Sequence, residues 1–114
     1  MLLKPTEKTF TKTVENIGTF VFQYPTLRDE IRASNGAAAL LVGNSDPTVL
    51  ASNIATMISA LTVNIVEAPK DFNLAEIYAY EELEAVYTAF IDTVLAFRNQ
   101  SAFRQPPKIE GAGA

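Results

Sequence analysis

With histidine and cysteine absent from the sequence, the side chains left for proton exchange near neutral pH, or for holding a hard cation, are chiefly carboxylates. Glu81 and Glu84 are three residues apart and can share one helical face, whereas the adjacent pairs Asp29-Glu30 and Glu81-Glu82 diverge around a helix. An acidic first turn facing a helix dipole explains both groups without catalysis. There is no calcium-loop spacing, and Gly36 and Gly43 do not form a phosphate loop. Metal sites built on nitrogen or sulfur, thiolate nucleophiles and disulfides are excluded by composition. The expectation is a protein with no catalytic residue, no metal and no cofactor, acting by binding rather than as an enzyme.

The 114 residues suit one hydrophobic core, expected as a single compact domain over residues 1–104 with a flexible tail at 105–114, where "RQPPKIEGAGA" is poor in apolar residues. An apolar fraction of 48% supports that core and leaves some hydrophobic surface for a partner. The net charge is -4 and no Lys/Arg cluster offers a track for phosphates, so nucleic acid is not an expected partner. "MLLKPTEK" lacks the long apolar run of a secretory signal, which gives the expectation of an intracellular protein.

Thr9 to Tyr24 reads as a β-hairpin. Phe10 and Val14 alternate with threonines, Phe20, Phe22 and Tyr24 alternate after the turn, and Asn16 and Gly18 can take positive φ between them. Thr26 can cap a helix carrying Leu27 and Ile31 four apart, and Asn35-Gly36 predicts a break before a second short helical segment ending at Gly43. Asp46-Pro47 reads as the start of a long helix whose apolar face is Leu50, Ile54, Met57, Ile58, Leu61 and Ile65. Its run from Asp46 to Glu67 is uncharged, but serine, threonine and asparagine recur through it, so a helix enclosed by protein is expected rather than a membrane span. Asn73 can cap a short helix. A final helix over Glu81–Arg98 carries Leu83, Val86, Tyr87, Phe90, Val94 and Phe97, widened by Ile91 and Leu95. The fold class is therefore α+β, mostly helical, with an N-terminal β-hairpin packed on a small bundle of helices.

Charge separates along the chain. Residues Glu67 to Asp92 hold seven acids and one lysine, while Lys4, Lys8, Lys12, Arg28 and Arg32 lie in the first third, which permits a homo-oligomer pairing the two regions.

The order of a short ribbon, "YPTLRDEIR", a long uncharged helix leading to "NIVEAPKDF", and "EELEAVYTAFIDTVLAFRNQ" resembles the small tail assembly chaperones of long-tailed bacteriophages. The features that carry it are Ala68, Pro69 and Phe72, then Glu81, Glu82, Tyr87, Phe97 and Arg98. The resemblance implies a protein of the host cytoplasm that binds the hydrophobic, helical tape measure protein, with the tail tube protein as a further partner, and keeps the tape measure protein soluble during tail assembly. The "KTFTKT" and "TFVFQ" ribbon departs from an all-helical chaperone, and leaves as alternative a structural neck or tail-completion subunit forming a ring. Under the chaperone reading, the adjacent apolar stripes place the partner-binding residues at Met57, Ile58, Leu61, Tyr80, Tyr87 and Phe90.

Overall fold

The computed structural model describes residues 2–102, so the expected tail at 105–114 lies outside the described residues. The fold is α+β. Strands β1 (Thr9–Val14) and β2 (Gly18–Gln23) form the hairpin, followed by helices α1 (Leu27–Leu40) and α2 (Val49–Asn64), strand β3 (Ile65–Glu67), a short 3-10 turn (Leu74–Glu76) and helix α3 (Tyr80–Ala102).

The hairpin forms as its alternation requires. Asn16 takes φ 69° and Gly18 φ 140° at the turn, and β1 pairs with β2 from Thr9↔Gln23 to Val14↔Gly18. Phe20 and Phe22 are fully buried on one face of β2, while Thr13 and Thr19 hydrogen-bond across the exposed face at 2.9 Å. The long uncharged run ends differently from expectation: the helix stops at Asn64, and Ile65 to Glu67 leaves it to pair antiparallel with β2. Two consecutive β-branched residues favour extended backbone, and without them the second edge of the Phe-bearing strand would be open. The resulting sheet order is β1-β2-β3, with the β2–β3 register shifting between Val21 and Phe22.

The core lies between the sheet and two helices. Phe20 and Phe22 meet Met57 and Leu61 of α2 and Leu83, Val86, Phe90 and Val94 of α3, with Val14 closing one end. On α2, Thr48 is the N-cap and accepts from the Ala51 N–H, so the cap sits two residues beyond Asp46. Leu50, expected on the core face, lies in that first turn and is exposed, as is Leu95 on α3. Two polar residues of α2 are buried with partners. Asn64 donates to the Ala60 carbonyl and accepts from Gln23, whose amide also reaches Asp29, so one side chain of β2 ties the end of α2 to the start of α1.

Helix α1 is continuous through Asn35-Gly36, contrary to the expected break. Its start is a capping box: Thr26 accepts from the Asp29 N–H while the Asp29 carboxylate accepts from the Thr26 N–H. Gly36 belongs to the helix because α2 comes too close for a side chain: a Cβ there would sit 2.2 Å from Ser59 Oγ. Ser59 Oγ is itself buried and donates to the Ala33 carbonyl at 2.6 Å. Gly36→Ala is therefore expected to cost about 1–3 kcal/mol through overpacking, outweighing the roughly 1 kcal/mol that alanine contributes to an exposed helix interior. In a Ser59→Ala background the cost should fall, since the obstructing oxygen is gone and only the Cβ of residue 59, at 3.3 Å, remains. Urea titration of the four chains of the cycle measures this, and an unchanged cost in that background would show that Ser59 is not the obstacle.

Candidate functional site

Because α1 packs on α2 through small residues, it does not close over α3. The three helices leave a groove of about 230 Å³, lined by Ala33 and Ala37 of α1, Thr56 and Ala60 of α2, and Tyr87 and Ile91 of α3. The buried Phe90 and the exposed Glu30 also line it. The Glu30 carboxylate pairs with the Arg98 guanidinium, which bridges α1 to α3 at one end of the opening. The Tyr87 phenol is held above the usual tyrosine range, first by burial and then by the nearby Glu30 carboxylate, so near neutral pH it is a neutral hydroxyl able to donate a hydrogen bond. An apolar trough with small residues along its base and one aromatic hydroxyl on its wall suits the face of a helix.

The six residues named from sequence are divided by the fold. Met57, Leu61 and Phe90 are buried in the core, at 6%, 0% and 2% exposure. Tyr87 and Phe90 meet at the groove, whereas Ile58 and Leu61 line a separate cleft with Ile65, Phe72 and Leu74 on another side of α2. Tyr80 is half-buried against the core at the start of α3, while Tyr78, before that helix, is 95% exposed. Ala33, Ala37 and Ala60 are not among the residues expected to bind a partner; their only signal is small size, which for Ala37 to Ala39 reads as allowing close helix packing.

Glu81, Glu82 and Glu84 are all exposed at the start of α3, and among the described residues no group of three or more acids is placed to hold a metal ion. Among the described residues no helix is long and apolar enough to cross a membrane. In comparisons with known proteins, no family model, curated protein or solved structure matches the chain.

Proposed function

We propose that this chain is a non-catalytic binding module whose groove receives an apolar helix of another protein, in the way a tail assembly chaperone shields a tape measure protein in the host cytoplasm. The observation that carries the reading is the groove between α1, α2 and α3, where Tyr87 stands beside a base of alanines. Shielding is a matter of area: each Å² of apolar surface covered contributes about 25 cal/mol, so a long apolar helix that aggregates alone is kept dispersed by many moderate contacts. Release then remains possible, because no single contact dominates the off-rate. The exposed acids of α3 add solubility to the complex by mutual repulsion.

Ala37→Arg tests the groove, since Ala37 is half-exposed and a long charged side chain there fills the trough without entering the core. Co-expressed with the tape measure protein, the unaltered chain is expected to raise the soluble fraction of that protein, and the Ala37→Arg chain, folded as judged by circular dichroism, to lose most of that effect. Equal soluble fractions with the two chains would remove the groove from the function. Failure of the unaltered chain to raise solubility at all would remove the chaperone reading.

A further inference from the structure

Helix α1 buries none of its residues, and its attachments to its two neighbours are unequal. Toward α2 the approach is close: Gly36 lies against Ser59, and Ser59 Oγ donates to the Ala33 carbonyl at 2.6 Å. The Gln23 amide adds to that side, since it reaches both Asp29 at the start of α1 and Asn64 at the end of α2. Toward α3 the helix presents Glu30, Ala33, Ser34 and Ala37, and the space between these and Tyr87 and Ile91 is the groove. The large aliphatic residues of α1, Leu27, Ile31 and Leu40, are each more than half exposed, so none is wedged between α1 and α3. The Glu30 carboxylate and the Arg98 guanidinium tie the two helices together.

Little apolar contact therefore resists separation of α1 from α3, while a seam of small residues and side-chain hydrogen bonds keeps α1 on α2. Beyond α1 the chain runs through Val42 to Asp46, all exposed, with Gly43 at φ 88° and open space around it. Such a link can absorb the change in backbone angles that a turning helix demands.

We propose that α1 is a hinged lid over the groove, turning on its seam with α2 and latched to α3 by the Glu30 to Arg98 ion pair. The purpose of the motion rests on the reading that the groove receives an apolar helix. One turn of helix, about 10 Å across and about 5.4 Å long, occupies about 400 Å³, whereas the groove measures about 230 Å³. As it stands the groove admits side chains from such a helix but does not seat the helix between α1 and α3. Turning α1 outward supplies the missing width without disturbing the core, since the core residues lie on β1, β2, α2 and α3. The latch is weak by construction. Its side chains are 45% and 37% exposed, and an exposed pair of this kind biases an equilibrium by no more than about fivefold. It holds the lid closed on average and still lets a partner enter and leave.

Because the chain has no cysteine, two introduced cysteines carry spin labels at chosen sites. Ile31→Cys with Leu95→Cys, both exposed, reads the distance from lid to α3, and Thr62→Cys with Leu95→Cys reads a distance from α2 to α3 that the lid leaves alone. Pulsed electron resonance on the first pair is expected to show a short separation and a longer, open one. Raising salt from about 0.01 M to about 1 M cuts the screening length from about 30 Å to about 3 Å, and should raise the ratio of open to closed about two- to fivefold. Glu30→Gln, which keeps the size of the side chain and removes its charge, should raise that ratio similarly at low salt and abolish most of the response to salt. A single separation under all conditions, a ratio indifferent to Glu30→Gln, a salt response undiminished by it, or an equal change in the second pair would each overturn the lid. The distances are read on the chain alone, so the two readings fail separately. A responsive lid on a chain that does not keep the tape measure protein soluble would remove the binding reading and leave the hinge, and an unresponsive one on a chain that does would remove the hinge alone.

Discussion

A Phe22→Ala chain is expected to lose about 3–5 kcal/mol of folding stability, the range for removing a large aromatic side chain from a core that cannot collapse around the space. Phe22 is fully buried, and its ring lies 5.4 Å from Phe10, 5.7 Å from Phe20 and 5.4 Å from Phe90 between ring centroids. The neighbours belong to both hairpin strands and to α3, so no single element can shift inward to refill the cavity without breaking the strand register. Domains of this size have a net stability of roughly 5–15 kcal/mol, so the loss removes a large part of it. It should appear as a lower urea midpoint with an unchanged slope. Leu95→Ala is the control, because Leu95 is 48% exposed and its truncation should change stability by about 0.5 kcal/mol or less. Equal losses from the two substitutions would mean that the core is not centred on the aromatic face of β2.

That face was legible in the sequence because period-two alternation and a turn with Asn16 and Gly18 are local signals, and local geometry decided the outcome. The capping box at Thr26 was half visible: the cap was readable, while the reciprocal bond from Asp29 needed the folded turn. Gly36 was misleading for a physical reason. Its helix penalty of about 1 kcal/mol is a local quantity, whereas the close approach of Ser59 that requires a glycine involves a residue on another helix. Strand β3 was missed because three residues are too few to show a period, and Ile65 continues the helical spacing of Ile58 and Leu61 as well as it begins a strand.

The binding residues divide along the same line. An apolar stripe states that a side chain avoids water, and both a core and a contact face satisfy that statement. Met57, Leu61 and Phe90 satisfy it in the core. Leu27 and Ile31 show the same four-residue spacing and remain open to water, since α1 turns its small residues, Gly36 among them, toward α2. The groove exists for the same cause: alanines let α1 lie close on α2, and close packing there leaves α3 uncovered along Tyr87 and Ile91.

Gly18→Ala is the second large loss expected, about 2–5 kcal/mol from backbone strain and overpacking together. Gly18 has φ 140°, a conformation that residues with a Cβ rarely adopt. A Cβ at that position would lie 2.5 Å from Cγ and 3.0 Å from Cβ of Pro69. Neither side can yield cheaply. Gly18 opens β2 opposite Val14, directly after the turn closed by the bond from the Ile17 N–H to the Val14 carbonyl, and Pro69 is a rigid ring whose carbonyl accepts from the Phe72 N–H in the next turn. A double-mutant cycle separates the two causes. In a Pro69→Ala background the Cγ at 2.5 Å is gone but the backbone angle and the Cβ at 3.0 Å are not, so Gly18→Ala should still cost about 1–3 kcal/mol, with the difference between backgrounds measuring the clash with the ring carbon. Urea midpoints of the four chains supply that difference. If Gly18→Ala changed stability by less than about 0.5 kcal/mol in the original chain, the size of an ordinary surface substitution, then neither the positive φ nor the contact with Pro69 would constrain the hairpin, and the seating of β2 against the end of β3 would have to rest on the buried phenylalanines alone.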